Sequence, residues 1–186
     1  MDEDLRLALE ALRNGGVILY PTDTIWGLGC DATNDDAVKK IFRLKQRNDE
    51  KSMIVLLDHA DRLTEYAEVP EIAMDLIDVA DKPLTIIYPG ARNVAKSLIA
   101  ADGSLGIRIA RDEFCIRLIR KFGRPLVSTS ANISGEVYPS EYLKINARII
   151  NSVDYVVKYK QDEHLHGKPS GIIKLGIHGE VKVIRE

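Results

Sequence analysis

The sequence predicts an α/β fold, a mixed β-sheet with helices packed on both faces, forming one domain over residues 1–186. Three observations predict it. Apolar runs of strand length, VILY (17–20), MIVLL (53–57), LTIIY (84–88), LGIRIA (105–110) and PLVST (125–129), alternate with segments whose apolar residues recur at helical spacing. Such strands are buried on both faces. The last strand-like runs, near 153–157, 170–175 and 181–184, lie too close together for helical crossovers, so part of the sheet is antiparallel. A chain of 186 residues that is 45% hydrophobic and 29% charged supports one sizeable core.

The elements follow in order. Leu5, Ala8, Leu9 and Leu12 share a helical face, and Asn14-Gly15-Gly16 is its stop. This start is acidic and amphipathic, unlike a signal peptide, and no apolar stretch approaches the roughly 20 residues of a membrane span. After the strand at 17–20, Thr33 and Asp36 have capping-box spacing. They open a helix that buries Ala37, Val38, Ile41 and Phe42 and ends near Arg47-Asn48-Asp49. Pro70 opens another, with Ile72, Ala73, Leu76 and Ile77 inward. Pro89-Gly90 closes the strand at 84–88. Asp112 caps a helix carrying Phe114, Cys115, Leu118, Ile119 and Phe122, which Gly123 ends. A weaker helix lies within 140–151.

Ligands of open α/β sheets bind beyond strand ends, so the polar loops there are where chemistry is sought. Four stretches qualify. In YPTDTIWGLG (20–29), Thr22, Asp23 and Thr24 offer hydroxyls and a carboxylate beside two glycines; the same residues also suit a simple turn. RLKQRNDEKS (43–52) is cationic, either completing a helix end or clamping phosphate. STSANISG (128–135) is dense in hydroxyls and an amide. Arg108, inside an apolar strand, needs an anionic partner, an internal carboxylate or a substrate one.

Other chemistries are disfavoured. Cys30 and Cys115 are far apart, which argues against a zinc or redox motif and fits a reducing, cytoplasmic setting. GKPSG (167–171) has Asp162 where a Walker A motif needs its first glycine, and no dinucleotide fingerprint or nucleophile elbow is present. His164 and His166 read as surface or lid residues, and no side-chain metal site is predicted. The net charge of −2 does not announce a nucleic-acid binder.

Taken together, YPTDTIWGLGCDA (20–32), Lys45-x-Arg47 with KSMIVLL (51–57), LGIRIA (105–110) and PLVSTSANISG (125–135) resemble the YrdC/TsaC family of threonylcarbamoyl-AMP synthases. The resemblance covers about residue 5 to 186. It implies a twisted, open, YrdC/RibB-like sheet with a concave positive surface. It implies that L-threonine, bicarbonate and ATP, with Mg²⁺, give threonylcarbamoyl-AMP and pyrophosphate for N6-threonylcarbamoylation of tRNA adenosine 37. A downstream threonylcarbamoyl-transferase complex is the implied partner, and direct tRNA binding stays open. By the same resemblance Lys45 and Arg47 are the catalytic, phosphate-binding pair. Thr24, Arg108 and Ser128 contact threonine, with Arg108 on its carboxylate. Ser104, Ser130, Asn132 and Arg185 contact the nucleotide.

Several positions depart from the family pattern. Trp26 stands where tyrosine is usual and is expected to form an apolar wall. Tyr138 stands at a serine position, Ser170-Gly171 replaces Ser-Thr, and the stretch at 51–53 lacks its proline. The chain looks like the short form, in which residues 160–171 serve as a lid. A non-catalytic RNA-binding or ribosome-assembly module is the alternative, and the Ser130-x-Asn132 motif favours the enzyme.

Overall fold

A computed structural model describes every residue except 47–52, 140, 164 and 166. The chain runs α1 (Asp2–Arg13), β1 (Ile18–Tyr20), β2 (Gly27–Gly29), α2 (Asp35–Leu44), β3 (Ile54–Leu57), α3 (Leu63–Tyr66), α4 (Ile72–Val79) and β4 (Leu84–Tyr88). It continues with β5 (Leu105–Ile109), α5 (Glu113–Phe122), β6 (Leu126–Ser130), α6 (Ala147–Ile150), β7 (Tyr155–Val156), β8 (Gly171–Leu175) and β9 (Val181–Arg185). Among the described residues these strands form one open mixed sheet in the order β7-β1-β2-β6-β3-β5-β4-β8-β9. Three pairs are parallel (β1/β7, β3/β5, β4/β8), and the other described pairs are antiparallel. No described helix is long and apolar enough to cross a membrane.

Strand alternation divides the interior into two layers. Ile18, Tyr20, Leu56 and Leu126 point to one face, where they meet Leu5, Ala8, Leu9 and Leu12 of α1 and Phe114, Cys115, Leu118 and Ile119 of α5. Val17, Leu19, Val55, Leu57 and Val127 point to the other, against Val38, Ile41 and Phe42 of α2. Each fully buried leucine contributes about 2 kcal/mol. The helices α1 and α5 cover only the β7-to-β3 side of their face, because their buried residues meet β1, β3 and β6. The cavities described below open on the same face, from β2 and β6 across to β9.

Several local expectations are corrected. The cap of α2 is Asn34, whose side chain accepts from Ala37 N, not Thr33, whose hydroxyl donates to Asp31 Oδ1 at 2.7 Å. That helix stops at Leu44, short of Arg47. Ile72 is exposed at the start of α4, and only Ala73 of its expected inward set is fully buried. The helix within 140–151 is one 3-10 turn (Tyr142–Lys144) and one α-turn, α6. The strand β2 was not foreseen, since two of its three residues are glycine, a poor strand former. The α5 termini match expectation: Asp112 accepts from Cys115 N, and Gly123 closes the helix at φ +79°.

That cap makes a clean stability prediction. A Cβ at Gly123 meets nothing within 4 Å, so Gly123→Ala changes backbone strain alone. The expected cost is about 1 kcal/mol, or a melting temperature lower by about 2–4 °C, with the fold unchanged by circular dichroism.

Candidate active site

The site spans one face of the sheet from β2 and β6 to β9, and strand register decides what it contains. Leu56, Arg108, Thr85, Ile172 and Arg185 are successive partners across β3, β5, β4, β8 and β9, so their side chains share one face. A parallel row joins Ile87 with Gly106, Lys174 and Lys182. Between Ile172 and Ile173 the β8/β9 register shifts by one residue, the mark of a bulge at Ile184. That extra residue lets Ile184 and Arg185 both line cavities on this face.

Two cavities follow these rows. The first, of about 310 Å³, is lined by Thr22, Thr24, Ile25, Gly27, Arg108, Ser128, Thr129, Ser130, Tyr138, Ser170 and Arg185 among others. The second, of about 530 Å³, is more apolar and carries Asp102, Ser104, Lys174 and Lys182. They share Met53, Ile54 and Ile172, so one continuous groove crosses the sheet. Its charged lining is cationic at Arg108, Arg185, Lys174 and Lys182 and anionic at Asp102.

Arg108 is the floor of the first cavity and only 3% exposed. Its Nη2 lies 3.0 Å from Asp23 Oδ1, which supplies the internal carboxylate that the sequence left open. The pair is close without being hydrogen-bonded: Arg108 Nε and Nη2 and both Asp23 oxygens are buried with no hydrogen-bond partner among the described residues. Arg185 donates from Nε and Nη2 to the Ser170 carbonyl. Burial first, then the nearby Arg108 charge, pulls its pKa down. Two guanidiniums held this close favour an anionic guest.

The walls are made by two loops. Thr22 is the turn-former, since its Oγ1 donates to Ile25 O and accepts from the Thr24 and Ile25 amides. It thereby presents Thr24, whose hydroxyl is 3.0 Å from that of Thr22, at the cavity edge. Opposite, Ser128 and Ser130 project from β6 on the cavity side. Lys45 does not line the cavity. Its Nζ, buried behind the loop after β6, donates to Ser130 O at 2.5 Å, Asn132 O at 2.7 Å and Asn132 Oδ1 at 3.1 Å. Ser130 Oγ also donates to Asn132 Oδ1. The Ser-x-Asn motif is thus tied to the end of α2 by one ammonium.

The predicted residues therefore divide. Thr24, Arg108, Ser128, Ser130 and Arg185 meet in one cavity. Ser104 lies in the second, donating to Asp102 Oδ1 at 2.6 Å. Lys45 and Asn132 stand behind the wall, and Arg47, His164 and His166 lie outside the described residues. Trp26 is corrected: it is fully buried on the opposite face, its ring 5.3 Å from that of Tyr142, and forms no wall. In the expected lid, Lys160 Nζ bonds Asp112 at 2.7 Å and Pro169 and Ser170 line the cavity. Gly167 lies so close to Thr24 that a Cβ would come 1.6 Å from its carbonyl oxygen. Lys174, Lys182 and Asp102 were missed; the period-2 pattern of the last two strands placed both lysines on one face. Burial pushes the Cys30 and Cys115 thiols up, so neither is poised as a nucleophile.

Comparison with known proteins identifies the fold and the family. The Sua5/YciO/YrdC family model, described as "Telomere recombination", matches residues 10–186. The threonylcarbamoyl-AMP synthase of Pseudoalteromonas translucida is 34% identical over 180 residues, covering 94% of each chain. Among solved structures, P. abyssi Sua5 complexed with L-threonine superposes with a TM-score of 0.86 at 28% identity. The match covers 94% of this chain and 52% of that one, so the chain spans about half the length of that protein. E. coli YciO has the same TM-score at 27% identity, with 100% of this chain and 90% of the other covered. By sequence along nearly its whole length and by fold, the chain belongs to the Sua5/YciO/YrdC family.

Proposed function

We propose that the protein is an L-threonylcarbamoyladenylate synthase, a nucleotidyltransferase that makes threonylcarbamoyl-AMP and pyrophosphate from L-threonine, bicarbonate and ATP. The observation that carries this reading is the convergence of Arg108, Arg185, Thr24, Ser128 and Ser130 on one cavity that opens into a longer, more apolar one. The similarity to enzymes of that name, and to a Sua5 that binds L-threonine, supports it. The product would serve N6-threonylcarbamoylation of tRNA adenosine 37 in the cytoplasm. It would pass to a downstream threonylcarbamoyl-transferase complex, with tRNA a further candidate ligand.

In this reading the threonine carboxylate meets Arg108, whose buried donors lack partners, and the Thr24 and Ser128 hydroxyls hold the rest of the amino acid. ATP lies along the groove, with its α-phosphate near Ser130 and Arg185 and its nucleoside over Ile54, Ile172 and Ile184 toward Ser104. The threonine amine displaces water from bicarbonate to give a carbamate. A carbamate oxygen then attacks the α-phosphorus, and pyrophosphate leaves. No enzyme nucleophile is needed; the residues contribute alignment and positive charge. Among the described residues no group of three or more His, Cys, Asp or Glu forms a metal cage. Mg²⁺ fits instead as a hard ion carried on the polyphosphate, with hydroxyls such as Ser130 in reach, where it would neutralise the leaving pyrophosphate.

Three results are expected. Protein given ATP, Mg²⁺, L-threonine and bicarbonate releases pyrophosphate only when both threonine and bicarbonate are present. Absence of that dual dependence sinks the reading, and salt-sensitive tRNA binding without turnover would point to an RNA module instead. Arg108→Ala weakens threonine about 100-fold by calorimetry and ATP only a few-fold, as loss of a charge-assisted pair predicts. Equal loss of both, in a folded variant, contradicts the carboxylate assignment. Lys45→Met lowers the ligand-free stability by about 1–3 kcal/mol in chemical denaturation, since the part-buried loop oxygens Ser130 O, Asn132 O and Asn132 Oδ1 lose the ammonium that gathers them. A lysine serving phosphate alone would leave that value unchanged.

A further inference from the structure

Asp23 has no part in the chemistry above, yet it is the most expensive carboxylate in the site. Its side chain is 7% exposed, and neither oxygen accepts a hydrogen bond from any of the described residues. A buried carboxylate ordinarily takes two or three donors. A bidentate arginine bridge would use both of its oxygens and two guanidinium donors. Here only the charges are paired, Nη2 to Oδ1 at 3.0 Å, and the donors Nε and Nη2 are left unspent. Asp23 does not line the cavity that Arg108 floors; it stands on the far side of the Thr22–Thr24 turn, facing a separate cavity with Arg111, Asp112 and Lys160.

We propose that Asp23 is a positioning residue: it holds the Arg108 guanidinium at the cavity floor with its donors free, and its charge makes the subsite select an amino acid over an amine-free carboxylate. This rests on the reading in which Arg108 receives the substrate carboxylate. Its physical basis is charge balance. The Asp23–Arg108 pair is neutral, so a zwitterion adds no net charge beside it. A simple carboxylate adds a second anion beside Asp23, and although Arg185 also lines the cavity, the Asp23 charge disfavours that anion relative to the zwitterion. The poor hydrogen bonding also matters, because a fully satisfied guanidinium would have to break bonds before accepting a ligand.

The test compares L-threonine with 3-hydroxybutyrate, which keeps the carbon chain and hydroxyl and lacks the amine. Both are titrated by calorimetry into the wild-type protein, Asp23→Asn, Asp23→Glu and Arg108→Ala. In Asp23→Asn, threonine should weaken while 3-hydroxybutyrate holds or gains, narrowing the preference about tenfold. In Asp23→Glu, the charge stays and the guanidinium shifts, so both ligands weaken about tenfold and the preference survives. Equal weakening of both ligands in Asp23→Asn, as a merely structural residue would give, overturns the proposal, and so does no change. Should Asp23→Asn fail to fold, Asp23→Glu decides: wild-type threonine affinity there overturns the positioning role. Arg108→Ala separates the two levels, because unchanged threonine binding in that variant refutes the parent reading whatever Asp23 does.

Discussion

A guanidinium buried in the middle of a β-strand is the constraint on which the rest of the site depends. Arg108 is flanked by Ile107 and Ile109 on a strand with neighbours on both sides. Its charge lies 3% exposed at the floor of the first cavity. An unpaired buried charge costs several kcal/mol, so a counter-charge must be brought to it. Asp23 arrives from the turn after β1, which means that this turn must fold back over the β5 strand. Thr22 makes it do so by collecting three backbone contacts on one hydroxyl. The same turn then delivers Thr24 to the cavity edge, so the wall of the site is a by-product of neutralising its floor.

The opposite wall is governed by a second buried cation with the reverse arrangement. Lys45 spends its ammonium on three protein oxygens, whereas Arg108 keeps donors in hand. Its own carbonyl also accepts from Ser134 N, so the end of α2 grips the loop after β6 from both sides of one residue. The two cations therefore differ: one shapes the loop that carries Ser130, and the other, in the proposed reading, receives an anion. This division explains why a lysine belongs at the first position and an arginine at the second. A compact ammonium suits a cluster of carbonyls, and a planar fork suits a carboxylate.

Much of this was legible in the sequence because apolar periodicity and strand-end polarity are local signals. The strands β3 to β6, the caps of α5 and the convergence of Thr24, Arg108, Ser128, Ser130 and Arg185 could all be read from short stretches or from their resemblance to a family. What escaped depends on pairing between distant segments. The strand β2 exists because Gly27 and Gly29 fit between β1 and β6, although glycine disfavours strands. Trp26 looked like a cleft residue from its neighbours, yet the start of β2 turns it into the opposite core. Lys45 read as a phosphate ligand, since nothing local says that the carbonyls of residues 130 and 132 come to meet it. Asp23 stayed ambiguous for the same reason: its partner is 85 residues away.

The bulge at Ile184 shows how little is needed to turn a regular edge into a binding surface. Perfect alternation along β9 would set Ile184 and Arg185 on opposite faces. One extra residue in the register brings both to the groove, Ile184 beside the apolar second cavity and Arg185 beside the first. Arg185 is then fixed by the Ser170 carbonyl, and the Ser170 hydroxyl by Thr85, which is Arg108's own partner across β4 and β5. The two arginines are thus set by one row of the sheet, not by flexible loops. Their spacing is as rigid as the strand pairing, which suits the proposed reading in which one arginine meets a carboxylate and the other a phosphate at a fixed separation.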